Sequence, residues 1–318
     1  MKKYLITGFS GFVSKYFLEY IEQKKIQASV LGIDLQAPDF AAKNFRHAKW
    51  SFEKLDLLRQ DGVANLIHRF QPDYILHLAS FSSVAFSWKE PIRSFQNNTN
   101  IFLNLLETVR NLNLKIRILS VGSSEEYGNV DEKDLPLKES HHLKPVSPYA
   151  VARAAQEMLS GIYADGYGLD IVMTRSFNHI GPGQKDIFAV SSFARQLVEA
   201  KKRGPSACEL TTGDISIVRD FVDVRDVVRA YYDLFQKGRK GEVYNVCSGT
   251  GRSLKDVILK MAEILGVKVV TKTDPQLIRP SDNKMIIGSN EKIRAEIGWN
   301  PKISLEKSLK DVIRYYEK

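Results

Sequence analysis

Cysteine occurs only twice in 318 residues, at Cys208 and Cys247, and never as CxxC. A disulfide scaffold and a cysteine-built zinc site are thereby excluded, and no metal site is expected. No stretch approaches the ~18 consecutive apolar residues of a membrane span. The opening MKKYLITGFSG lacks the apolar core and cleavage site of a secretory signal. Glycine (20) and proline (11) are too few for collagen. With neither repeat nor low-complexity tract, a soluble cytoplasmic protein is expected. Lys+Arg 46 against Asp+Glu 37 leaves a net charge of +9. No long basic stripe interleaves with aromatics, and the C-terminal Lys/Arg alternate with acids. Neither nucleic acid nor membrane is an expected partner; the surplus reads as attraction toward an anionic ligand.

What is present is an alternation. KYLIT (3–7), SVLGID (29–34), DYILHLA (73–79), KIRILSVGS (115–123) and LDIVMTRSFN (169–178) read as strands. Helical patterns lie between them over 12–23, 92–111 and 148–166. Such Ile/Val/Leu-rich strands with intervening helices predict an α/β fold, a Rossmann-like doubly wound parallel sheet. After HIGPGQKD (179–186), read as a turn-rich link, helices over 187–202, 224–236 and 253–265 alternate with strands near ELTTG and EVYNV. The expected division is a nucleotide-binding unit over 1–178 and a smaller C-terminal substrate-binding unit over 179–318. Segments near 224–250 are expected to return to the first unit, with ligands in the crevice between.

The segment between the first strand and first helix reads TGFSGFVS. Gly8 permits the tight turn, and Gly11 lets the backbone approach a pyrophosphate at the helix N-terminus. Ser10, Phe12 and Val13 complete that turn, and Ser14 replaces a third glycine as a small packing residue. Asp34 ends the second strand, where a carboxylate accepts adenosine ribose hydroxyls and repels a 2′-phosphate. With no basic residue close behind Leu35, NAD(H) is favoured over NADP(H), without excluding the latter. Asp56 and Leu57 are placed beside adenine, although a surface role suits Asp56 nearly as well. Leu78, Ala79 and Ser80 are expected to line the cofactor. His77 reads as a core histidine.

Tyr149 and Arg153, four apart in a helix, face one side. A tyrosine beside a cation can exchange a proton with a carbonyl or alcohol while a nicotinamide exchanges a hydride. Ser123 or Ser124, at a strand end, can hydrogen-bond the same oxygen.

In this order, TGFSG, SVGSSEEYG and YAVAR make the chain resemble the extended short-chain dehydrogenases/reductases acting on nucleotide sugars, along nearly its whole length. The resemblance implies catalysis by Ser123, Tyr149 and Arg153, the last standing where the family has lysine. It places Glu125 where the family's 4,6-dehydratases carry a working glutamate, and Asn98 at a helix position with a supporting role near the cofactor. Glu126 reads as solvated. Asn178, Arg219 and Arg279 (of RPSD, 279–282) are implied to bind the substrate, the arginines at its diphosphate. Asp223 and Asp226 are expected to organise the Arg219 loop. The resemblance is nearest to the family's GDP-sugar reductase branch. It implies NAD(P)H-dependent reduction at C4 of GDP-4-keto-6-deoxy-D-mannose to give GDP-D-rhamnose. A GDP-mannose 4,6-dehydratase, a 4-epimerase and a catalytically silent nucleotide-sugar binder stand as alternatives. A homodimer through helices 92–111 and 148–166 is also implied.

Overall fold

The computed structural model describes residues 1–40, 45–204, 208–281 and 283–318. Asp282 of the RPSD segment lies outside them. The first part runs β1 (Lys2–Thr7), α1 (Phe12–Gln23), β2 (Ala28–Asp34), β3 (Ala48–Lys54), α2 (Gln60–Phe70), β4 (Tyr74–His77), α3 (Val84–Lys89), α4 (Pro91–Leu112), β5 (Arg117–Ser123), α5 (Pro148–Gly166) and β6 (Asp170–Ser176). Then follow β7 (Asn178–Ile180), α6 (Ala189–Arg203), β8 (Cys208–Thr212), β9 (Val218–Asp223), α7 (Val224–Lys237), β10 (Val243–Val246), β11 (Gly251–Ser253), α8 (Leu254–Leu265), β12 (Val269–Thr273), β13 (Met285–Ile286), α9 (Glu291–Ile297) and α10 (Leu305–Glu317).

Among the described residues, seven strands form one sheet in the order β10-β6-β5-β4-β1-β2-β3, every neighbouring pair parallel. The expected Rossmann-like sheet is therefore present. Side chains alternate across it, as strand periodicity requires. Tyr4 and Ile6 of β1 pack with α1 and α7 residues such as Phe17, Tyr231 and Phe235. Leu5 packs on the other face with Leu66, Phe102 and Leu105. Each such fully buried side chain contributes about 1.5–3 kcal/mol over its exposed state.

A second sheet, β11-β9-β13 with β7 against β9, and a β12-β8 pair stand outside this frame. They enclose a separate core of α6, α8 and α10 side chains, including Phe193, Leu197, Met261 and Leu309. Strand β10 does return to the main sheet beside β6.

Residues 169–178 are not one strand. The main-sheet strand stops at Ser176, and β7 begins at Asn178 in the second sheet. Phe177 is the pivot: its N–H donates to Val246 O at 3.0 Å, and its buried ring packs against Tyr127. The 179–186 link consequently starts as strand. Likewise the 73–79 strand ends at His77, because the Leu78 and Ala79 N–H groups turn to the Thr7 hydroxyl.

Among the described residues, no helix is long and apolar enough to cross a membrane. No group of three or more His, Cys, Asp or Glu there gathers as a metal site. Cys208 and Cys247 are buried free thiols.

Candidate active site

Strands β1 and β4 are neighbours that lead away in opposite directions, so the crevice beyond their carboxyl ends is the topological switch point of the sheet. The Gly8–Val13 turn lies there. Gly8 adopts φ +68°, and a Cβ on it would lie 2.8 Å from Ala79 N, so turn and Leu78–Ser80 loop approach too closely for any side chain. Gly11 caps α1 without any side-chain hydrogen bond, leaving the helix N-terminus open to an anion. Ser14 is fully buried and donates to Gly11 O at 2.7 Å, so the third glycine's role passes to a side chain that ties the turn down. These features fit a dinucleotide pyrophosphate.

Thr7, which pattern reading passed over, holds this crevice together. Its hydroxyl accepts the Leu78 and Ala79 N–H groups, each at 3.1 Å, and meets His77 Nδ1 at 3.0 Å. Burial, with the charge of Arg153 adding, pulls His77 down to about 3, so the ring stays neutral. The core reading of His77 therefore holds.

Asp34 does more than wait for a ribose. Its Oδ2 accepts Ser10 N–H at 3.0 Å and Ser10 Oγ–H at 2.6 Å, and its Oδ1 accepts Leu35 N–H at 2.7 Å. Asp56 accepts Leu58 N–H at 2.9 Å, beside buried Leu57. Asn98 is buried and clasps the backbone of Phe81, accepting its N–H at 2.8 Å and donating to its C=O at 3.2 Å. Its contact is thus to the loop just past Ser80.

Tyr149 and Arg153 meet as their spacing predicts. Pro148 and the Ser147 cap start α5 immediately before the tyrosine. Arg153 Nε donates toward Tyr149 Oη at 3.3 Å, with the guanidinium 5.4 Å from the ring centre. Both residues are buried. The rest of the fork is engaged as well: Nη1 donates to Val121 O at 2.9 Å and Gln156 Oε1 at 2.6 Å, and Nη2 donates to Ser80 Oγ. Gln156 in turn donates to Ser120 Oγ and Val121 O, and Ser160 donates to Ser120. A lysine's compact ammonium, with three donors at one point, could not reach all of these acceptors at once. They explain how an arginine is housed at this position.

Ser123 ends β5, with Ser124, Glu125 and Glu126 in the one-turn helix that follows. Ser123 Oγ accepts Glu125 N–H at 3.2 Å. Glu125 is half-buried and Ser124 buried. The solvated reading of Glu126 is wrong: it is fully buried, because its carboxyl closes the turn onto the Ser123 N–H at 2.5 Å.

Of the residues expected at the substrate, Asn178 is exposed in β7, and Arg279 is half-buried in the loop after Asp274–Leu277. Arg219 is buried, and its Nη1 donates to Val218 O at 3.0 Å and Asn283 O at 2.7 Å. Asp223 caps α7, accepting Arg225 N–H at 2.9 Å. Arg219 lies within β9, so the structure has no Arg219 loop for Asp223 or Asp226 to organise. Asp223 accepts Ser308 Oγ–H, while Asp226 accepts the Lys302 and Ile303 N–H groups, so both anchor the C-terminal segment. The aspartate that gathers loops here is Asp220. Buried beside Arg219, it accepts N–H groups from Ser248, Gly249 and Gly288. Burial raises its carboxyl, with those donors pulling it back.

The protein-family model for GDP-mannose 4,6-dehydratase matches residues 5–312. The chain belongs to that family of extended short-chain dehydrogenases/reductases. Its members are NAD(P)-dependent enzymes of nucleotide sugars. GDP-6-deoxy-D-mannose reductase of Pseudomonas aeruginosa is 33% identical over 316 residues, covering 99% of this chain and 97% of its own. The structure of RMD from Pseudomonas aeruginosa complexed with NADPH superposes with a TM-score of 0.83 at 31% identity, covering 100% of this chain and 98% of that one. UDP-glucose 4-epimerase from Thermotoga maritima with UDP-glucose gives 0.87 at 28% identity, covering 99% and 98%.

Proposed function

We propose that the protein reduces the C4 keto group of GDP-4-keto-6-deoxy-D-mannose to give GDP-D-rhamnose. The observation that carries this reading is the buried Tyr149–Arg153 pair, on the helix packed against the strand that ends at Ser123, in a chain 33% identical to a GDP-6-deoxy-D-mannose reductase. A nicotinamide cofactor, when bound, would supply the hydride. Tyr149 gives its hydroxyl proton to the C4 oxygen, and Ser123 donates a hydrogen bond to that oxygen. Arg153 stabilises the charge left on the tyrosine oxygen and orients the ring. In this reading Gly8–Val13, Asp34, Leu35, Asp56, Leu57, Leu78–Ser80 and Arg153 hold the cofactor, with Asn98 bracing the loop. Ser124, Glu125, Asn178, Arg219 and Arg279 take the sugar nucleotide. The cofactor unit is 1–178 with 224–250, and the remainder cradles the substrate, in the cytoplasm.

Asp34 supports NADH as reductant, because its carboxylate repels a 2′-phosphate. The relative solved with NADPH shows that the fold also accepts the phosphorylated form.

Dehydration of GDP-mannose is the second reading, favoured by Glu125 in the serine turn and by the matching family model. Two incubations separate them. The protein is incubated with GDP-mannose alone, and with the 4-keto-6-deoxy product plus NADH or NADPH. Stoichiometric nicotinamide oxidation in the second supports the reductase. Keto-sugar formation in the first, without net cofactor change, replaces it by the dehydratase.

A homodimer belongs to the same proposal. Ile92, Phe95 and Leu103 of α4, and Val151, Met158 and Ile162 of α5, are exposed on two helices packed side by side. An apolar face of this kind suits a four-helix contact between two copies. Replacing Met158 and Ile162 with glutamate is expected to halve the mass measured by light scattering. An unchanged mass removes this interface.

A further inference from the structure

Glu126 lies one residue beyond Glu125, and its surroundings give it a definite task. Its Oε1 accepts the Ser123 N–H at 2.5 Å, and its backbone carbonyl accepts Lys144 N–H at 3.1 Å. Gly122 leaves the space, since a Cβ there would stand 2.5 Å from Oε1. The other carboxyl oxygen, Oε2, is buried with no N–H or O–H of the protein directed at it. The side chain that faces it is Glu157 of α5, about two helical turns beyond Tyr149. Glu157 is itself held by both prongs of Arg175 from β6, at 2.8 and 2.7 Å.

Two carboxylates and one guanidinium therefore share a closed space. Arg175 neutralises one negative charge, and a second ionised carboxylate in contact with the first is strongly disfavoured. Glu157 makes the bidentate ion pair with Arg175. Glu126, which has no such ion pair, is the carboxyl pushed toward its protonated form beside Glu157. Burial raises Glu126 well above the usual carboxylate range and Glu157 adds to the rise, with Ser123 N–H and Arg175 opposing. Tyr127, whose ring lies under Arg175 at 4.7 Å, completes the set of titratable and charged neighbours named here.

We propose that Glu126 is a positioning residue, joining the serine turn to the tyrosine helix through Glu157 and so fixing the Ser123 hydroxyl relative to the Tyr149 hydroxyl. The inference rests on the roles proposed above for Ser123 and Tyr149. It supplies a second tie to the tyrosine helix, one turn beyond Arg153 on the same helix face, where Arg153 reaches the same strand at Val121.

Three measurements on the full-length protein test it. Glu126→Leu removes both hydrogen bonds and is expected to lower kcat ~10–100-fold with KM and NAD(P)H affinity changed under about twofold. Glu126→Gln accepts from Ser123 and donates to Glu157, and recovers most of that loss. Amide hydrogen exchange of residues 120–128 is faster in Glu126→Leu and normal in Glu126→Gln, whether or not any substrate turns over. The pH dependence has a definite sign. A carboxyl raised by folding gives stability that is lost as pH climbs through the raised value. Wild type and Glu126→Gln should thus melt alike in acid, with wild type falling progressively below the variant as pH rises above the ordinary carboxylate range.

Wild-type kcat in Glu126→Leu, equal damage in both variants, or unchanged exchange over 120–128 overturns the proposal. If the wild-type protein reduces no keto sugar, the reductase reading fails, and the exchange and melting results alone decide the role of Glu126.

Discussion

Replacing Tyr149 with phenylalanine is expected to lower kcat for keto-sugar reduction by ~10²–10⁴-fold, the range over which a positioned proton donor acts. Phenylalanine fills the same buried space, and the hydroxyl it loses makes one 3.3 Å contact with Arg153. Stability should therefore change by about 1 kcal/mol or less. Binding of NAD(P)H, followed by its fluorescence, should remain near wild type, because the Gly8–Val13 turn and the Thr7-held loop are untouched. Loss of rate with retained cofactor affinity locates the defect in proton transfer. A variant that turns over normally would end the assignment of Tyr149.

Arg153→Lys is the second large effect, although lysine is the residue the family usually carries. The shorter ammonium can approach Tyr149 but cannot also reach Val121 O, Gln156 Oε1 and Ser80 Oγ, which the guanidinium satisfies together. Buried acceptors left without donors cost about 1–3 kcal/mol each. The expected result is a lower melting temperature and a kcat reduced ~10-fold or more, the tyrosine losing its fixed neighbour. Adding Gln156→Met, which removes one stranded acceptor, should return part of the stability, and a double-mutant cycle measures the coupling. A faster Arg153→Lys enzyme would instead show that the arginine is a tolerated departure and that its network confers no catalytic advantage.

Much of the scaffold was legible in the chain because its signals are local. Buried parallel strands are short apolar runs, and helices repeat their apolar positions within a few residues, so the elements from KYLIT onward could be placed. The Gly8 turn was legible for the same reason, and its φ of +68° and close approach to Ala79 bear out what a glycine there implies. Tyr149 and Arg153 were paired by helical spacing alone. The failures share the opposite property. Glu126 read as solvated because a carboxylate in a serine-rich turn ordinarily is, and its partner lies 31 residues onward. Asp226 read as an organiser of the segment around Arg219, yet it takes N–H groups from residues 302 and 303. Asp220 and Thr7 sit inside strands, where nothing in the pattern marks them as organisers of distant loops.

The alternation of short apolar strands with helices by itself determined a parallel-sheet fold, and the order of the three motifs, through the family they resemble, pointed to a nucleotide-sugar enzyme. Each of those features is a matter of residue type and short spacing, which backbone geometry converts directly into structure. Only the tertiary structure decided how the arginine is housed and that Glu126 is buried against Glu157. It also decided which aspartates serve the site and which anchor the C-terminus. The physical reason is that desolvation and hydrogen-bond partnership depend on what the fold brings within 3 Å. That is set by chain crossings between β5, α5, β6 and the second sheet, to which local pattern is blind.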